Sequence, residues 1–128
     1  MVLAAAAAMY VSAITGLAGA QPDTPEACAY TLSPPQVVQV SGTDMVTATL
    51  NPAGCNRANP YLLVACIQLQ GSDGPGQCAQ GEGIVPAQVF YQPYRPGAVY
   101  VSTGRGCANI GNPPTPSCQG AGPFTATL

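Results

Sequence analysis

Met45-Val46-Thr47-Ala48-Thr49-Leu50 decides the fold class of this chain, because it alternates with a period of two. Val46, Ala48 and Leu50 fall on one face and Thr47 and Thr49 on the other, which is the pattern of a half-buried β-strand. The end of the chain repeats the pattern: in Pro123-Phe124-Thr125-Ala126-Thr127-Leu128, the residues Phe124, Ala126 and Leu128 are expected inward and Thr125 and Thr127 outward. Working outward, Tyr61 to Leu69 is apolar on both faces at first, with Tyr61, Leu63, Ala65, Ile67 and Leu69 against Leu62, Val64 and Cys66, and so predicts a central strand. Val85 to Gln92 sets Ala87, Val89 and Tyr91 opposite Gln88, Phe90 and Gln92. Ala98 to Thr103 sets Val99, Val101 and Thr103 opposite Tyr100 and Ser102. Gln36 to Val40 is a further short strand, confined by Pro34-Pro35 to begin at an edge.

Between these runs stand Ser41-Gly42-Thr43-Asp44, Asn51-Pro52-Ala53-Gly54, Gly71-Ser72-Asp73-Gly74-Pro75-Gly76 and Arg95-Pro96-Gly97. They read as turns, since Gly accepts positive φ and Pro presets the turn dihedral. About seven short strands at even spacing, with no helical period after the first 20 residues, predict an all-β fold, a small antiparallel immunoglobulin-like β-sandwich. The core Trp and long-range disulfide of antibody domains are not evident in the sequence.

Six cysteines, Cys28, Cys55, Cys66, Cys78, Cys107 and Cys118, occur in a chain without His. An even count in a small chain reads as a disulfide framework, and six cysteines allow 15 pairings among which sequence alone does not choose. Chain geometry supplies a preference. Cys66 closes easily onto Cys78 across a Gly/Pro turn, Cys107 and Cys118 flank the Pro-rich stretch Asn109 to Ser117, and Cys28 and Cys55 remain. Each bridge is worth about 3 kcal/mol by loop closure. Zinc is the competing use, but there is no Cys-x-x-Cys pair and no His to assist, so no metal and no cofactor is expected.

Residues 1–20 form an alanine-rich apolar run ending Ala18-Gly19-Ala20 before Gln21, the shape of a secretory signal peptide. No Arg or Lys precedes the run, a departure that points to a start upstream of Met1. An uncleaved anchor is the alternative, but an Ala-rich stretch of about 20 residues broken by Gly16 is a weak spanning helix. Residues 21–26 read as a flexible acidic tether and 27–128 as one domain, secreted to the extracellular space or the cell envelope.

Five acids, Asp23, Glu26, Asp44, Asp73 and Glu82, face three arginines, Arg57, Arg95 and Arg105, and the net charge is -2. That balance gives no clustered basic face for nucleic acid or anionic lipid. Without His or Lys there is no Ser-His or Cys-His pair and no lysine base. Asp44 and Glu82 are the one acid pair with a chance of meeting, Gly81-Glu82-Gly83 is an ordinary solvated tip, and Gly104-Arg105-Gly106 lacks the context of a phosphate loop. The expectation is that the chain is not an enzyme.

For contact, Phe90-Tyr91-Gln92-Pro93-Tyr94-Arg95-Pro96 stands out. Tyr and Arg dominate binding hot spots, and Tyr94 and Arg95 are expected to project while Tyr91 follows the inward register of Val89. A strand that ends in core aromatics and a Pro-bounded turn gives the same string. Asn109-Ile110-Gly111-Asn112-Pro113-Pro114-Thr115-Pro116 is a second surface segment, read first as a stapled passive loop.

Through Cys28-Ala29-Tyr30-Thr31-Leu32-Ser33-Pro34-Pro35, Val40-Ser41-Gly42-Thr43 and Gly104-Arg105-Gly106-Cys107-Ala108, the chain resembles small exported proteins of uncharacterised function from mycobacteria and other actinobacteria. The order and locality of Cys66 to Cys78 and Cys107 to Cys118 also resemble neocarzinostatin-type apoproteins, immunoglobulin-like carriers with two local disulfides. That resemblance implies fold and pairing style, with no ligand residue matched. The expected function is a non-catalytic secreted binding or structural module that meets a protein or envelope component through its loops. A small-molecule carrier with a cleft, or a secreted enzyme inhibitor, is the alternative. Mass spectrometry of the protein from culture filtrate is expected to give a chain beginning at Gln21; a mass that retains Met1 overturns the leader.

Overall fold

The computed structural model describes residues 28–74 and 76–128; the leader 1–20 and the tether 21–26 lie outside them. Eight strands follow one another: β1 (Cys28–Leu32), β2 (Gln36–Val40), β3 (Thr43–Cys55), β4 (Ala58–Leu69), β5 (Gln77–Glu82), β6 (Ala87–Tyr91), β7 (Val99–Ile110) and β8 (Thr115–Thr127). All pairs are antiparallel, and they form two sheets. In the first, β3 runs through the middle. Leu50 pairs with Leu32 of β1 and with Ala87 of β6, and Val46 pairs with Val37 of β2 and with Tyr91 of β6. A residue has two edges, so β1 and β2 share one side of β3 as two halves of an edge strand broken at Ser33-Pro34-Pro35, with β6 on the other. The second sheet has the order β5-β4-β7-β8. Three lanes facing four, with the chain changing sheets between β3 and β4, β5 and β6, and β6 and β7, make the immunoglobulin-like sandwich.

The inner faces meet in one apolar layer. Val46, Ala48, Leu50, Ala87 and Val89 from the first sheet and Leu63, Ala65, Ile67 and Tyr100 from the second are buried. The inward sets Val46, Ala48, Leu50 and, within β6, Ala87 and Val89 are thus realised as predicted, Thr47 on the outer face is buried as well, and β4 is a central strand. Tyr100 adds the corner expected of this fold: near the start of β7, its hydroxyl accepts a hydrogen bond from the Arg95 backbone N–H at 2.8 Å, five residues upstream. Buried Ser102 donates from its hydroxyl to the Ser33 carbonyl at 3.0 Å, tying the β1–β2 break to β7.

Three disulfides join Cys28 to Cys55, Cys66 to Cys78 and Cys107 to Cys118. Each joins register partners on neighbouring strands of one sheet. Such bonds belong to an oxidising compartment.

Several expectations are corrected. Asn51-Pro52-Ala53-Gly54 continues β3 rather than turning, because β6 pairs only as far as Leu50 and the edge beyond is free to carry a proline without losing a ladder bond. The segment flanked by Cys107 and Cys118 is mostly paired strand, with Asn109 opposite Pro116, which leaves only Gly111 to Pro114 as the turn. Val85 precedes β6 and is exposed. Phe124 keeps the inner side of β8, opposite buried Ser102, but is 42% exposed because β8 is the edge strand of its sheet.

Close approach between the sheets depends on glycine, most tightly at Gly106. The Tyr30 ring of β1 lies on Gly106 of β7, where a methyl group would overlap the ring. Gly106→Ala is therefore expected to cost about 1–3 kcal/mol in urea unfolding. Gly54→Ala, which meets no atom within 4 Å, is expected to be neutral or mildly stabilising.

Candidate functional site

Past Leu50, β3 runs beyond its neighbour β6, and the chain must then cross to the other sheet. It does so at Asn56-Arg57, where Arg57 takes a left-handed φ of 58° that delivers Ala58 to the start of β4. A second crossing arrives beside it, from Glu82 through Gly83-Ile84-Val85-Pro86 to β6. This connection is held at two points: the Gly83 N–H donates to the Tyr61 carbonyl at 3.3 Å, and the Val85 N–H donates to the Glu82 carbonyl at 3.0 Å. Between the crossings lies an open concavity of about 560 Å³, lined by Asn51, Pro52, Ala53, Gly54, Cys55, Ala58, Asn59, Pro60 and Ile84.

None of these lining residues has an ionisable side chain, since Cys55 is bonded to Cys28. What they present is proline, alanine and isoleucine carbon with two asparagine amides. Such a surface can receive an apolar group and orient it with amide hydrogen bonds, but it supplies no acid, base or nucleophile. Its rim is apolar as well. Ile84 is 73% and Val85 58% exposed, the two largest exposures among the big apolar side chains described. The β7–β8 turn stands at the same end, because Ile110 pairs with Ala58.

Tyr94 and Arg95 lie at the opposite end, and only one of them projects. The Tyr94 hydroxyl donates to the Leu128 carbonyl at 2.8 Å, and its ring packs against Tyr100 with centroids 6.4 Å apart. Half-buried and bonded, Tyr94 is a fixture of the corner, whereas the Arg95 side chain is exposed and only its backbone is engaged. The expectation that Tyr94 projects is thereby corrected. Asp44 and Glu82 are not brought together either. Asp44 adjoins the β2–β3 turn while Glu82 ends β5 beside the crossing into Ala87, the partner of Leu50. Six residues of strand separate those levels, about 20 Å.

Sequence reasoning missed Ile84. The available signal was an apolar pair held between Gly83 and Pro86, where Pro86 has no N–H for a ladder and so marks a break next to Ile84 and Val85.

One buried phenol lies beneath this end. Tyr30 pairs with Pro52 of the concavity wall, and its hydroxyl is enclosed without a hydrogen-bond partner among the described residues. Burial, with a smaller contribution from nearby Tyr61, raises its pKa above the ordinary 10.0. Below that value folded and unfolded chains both keep the proton; above it the unfolded chain releases it first, so stability falls as pH rises. Tyr30→Phe is expected to leave stability at neutral pH unchanged or slightly higher, because no hydrogen bond is lost, and to reduce the alkaline loss. Urea unfolding at pH about 7 and about 11 measures both effects.

Comparison with known proteins adds no relative: no protein-family model, curated protein or solved structure matches the chain.

Proposed function

We propose that this protein is a secreted, non-catalytic binding module that meets a protein or cell-envelope partner through the crossover end of its sandwich. The observation that carries the reading is the apolar rim, Ile84 and Val85, held out over a concavity whose walls contain no ionisable group. An apolar pair fixed in this position by backbone hydrogen bonds is pre-organised for contact, so little entropy is lost when a partner covers it. The two asparagine amides give such a contact direction.

The contact surface proposed is therefore not Tyr94-Arg95. A pinned Tyr94 also weakens the inhibitor reading, which needs that side chain to enter a target. The concavity is open to solvent, which favours a partner's protruding group over the enclosure of a small molecule, and so favours a contact module over a carrier. The three disulfides suit a protein that works outside the reducing cytoplasm.

A photo-crosslinking residue placed at Ile84, and separately at Arg95, in protein secreted by its own culture tests the site. Crosslinks from position 84 and none from position 95 are expected; the reverse overturns the assignment. Ile84→Asp combined with Val85→Asp is expected to weaken the captured partner by about tenfold or more while leaving the unfolding midpoint unchanged.

A further inference from the structure

The outer face of the four-stranded sheet carries a pattern that neither the fold nor the crossover end uses. Register places on this face Gln80 and Glu82 of β5, Leu62 and Val64 of β4, Val101 and Arg105 of β7, and the disulfides Cys66–Cys78 and Cys107–Cys118. Leu62, Val64 and Val101 are half-buried there, with no further layer over them among the described residues. Among all residues of β4, β5, β7 and β8, only Glu82 and Arg105 are ionised, and both are exposed.

Their positions are complementary. Glu82 stands level with Leu62 and Arg105 level with Val64, on strands either side of β4. They are therefore two strand spacings and two residues apart, about 12 Å. When two copies of a face are apposed about a two-fold axis lying in the face, two points exchange places if the axis is the perpendicular bisector of the line between them. Here that midpoint falls on β4 between Leu62 and Val64. One rotation thus sets Arg105 of each copy on Glu82 of the other and puts the two apolar side chains of both copies at the centre.

We infer that this face pairs with a second copy of the same chain, face to face, with Leu62 and Val64 flanking the axis and an Arg105–Glu82 ion pair on each side. The area is modest. Four strands with about seven residues each in register give on the order of 500 Å² per copy, less than the ~800 Å² per partner of standard stable complexes. The dimer is accordingly weak, and sensitive to salt because exposed charges guide it. It leaves the rim at Ile84 and Val85 outside the paired face, so it stands or falls separately from the proposed contact end.

Sedimentation equilibrium of the mature protein at low salt, from about 5 to about 500 µM, tests the pairing. The wild type is expected to dimerise, and R105E and E82R each to weaken the dimer by about tenfold or more, since each places like charges together twice. An equimolar mixture of R105E with E82R restores opposite charges at both contacts and is expected to recover the dimer, as is the double variant R105E/E82R. Recovery in the mixture also shows that each single variant is folded. A wild type that stays monomeric at the highest concentration overturns the proposal. So does a dimer indifferent to the single variants, or one that neither the mixture nor the double variant restores.

Discussion

No disulfide passes between the two sheets, so the sandwich stays closed only through the apolar layer between its inner faces. That layer is thin in chemistry: alanine, valine, leucine and isoleucine, with Tyr100 the one fully buried aromatic among the described residues and Tyr30, Tyr91 and Tyr94 packed against its margin. The three disulfides reduce the freedom of the unfolded chain, by about 3 kcal/mol each in the loop-closure account, but each acts along a sheet rather than across the core. The bonds and the layer therefore do different work. Bonds hold neighbouring strands level; burial holds the faces together, and the close contacts at Gly106 and at Gly104, which faces Leu50, are where that burial leaves no room for a side chain.

Tyr100 explains why the most conspicuous aromatic string in the chain turned out to be architecture. Its ring meets Tyr91 edge-on at 5.5 Å and Tyr94 at 6.4 Å, and its hydroxyl holds the Arg95 backbone. Tyr94 in turn holds Leu128, whose own backbone pairs with Gly97 and Ala98. The connection from β6 to β7 and the end of β8 are thus one fitting, built where the chain changes sheets. An aromatic-rich turn reads the same in sequence whether its rings face a partner or one another. Only the hydrogen-bond partners separate the cases.

Most of the fold was legible because its core strands obey the period of two without interruption. Val46, Ala48 and Leu50, and Ala87 and Val89, are inward in sequence pattern and in structure alike. Two strands gave no such signal. Cys28 to Leu32 is short, and Gln77 to Glu82 sets Gln, Cys and Glu on its outer face around Ala79 and Gly81, too little apolar contrast to mark a strand. The extension of β3 through Pro52 was hidden by turn-forming residues that are harmless on an unpaired edge. The contact end was less legible still, since Ile84 and Val85 matter for where two crossings converge, and convergence is a property of topology rather than of any local run. Two of the disulfide pairs, by contrast, followed from locality, and Cys28–Cys55 was what they left over.

Each cystine here links residues that already face one another across a ladder, and this gives oxidation a selective character. In a β-pair, sliding one strand by a single residue turns every side chain to the opposite face, which separates the two thiols as surely as it exposes the core. Strands aligned out of step offer their cysteines no mate, whereas strands in step present both sulfurs on one side. Covalent closure thereby proofreads alignment: outside the reducing cytoplasm, the chemistry that fastens this domain also tests whether its strands have found the right neighbours.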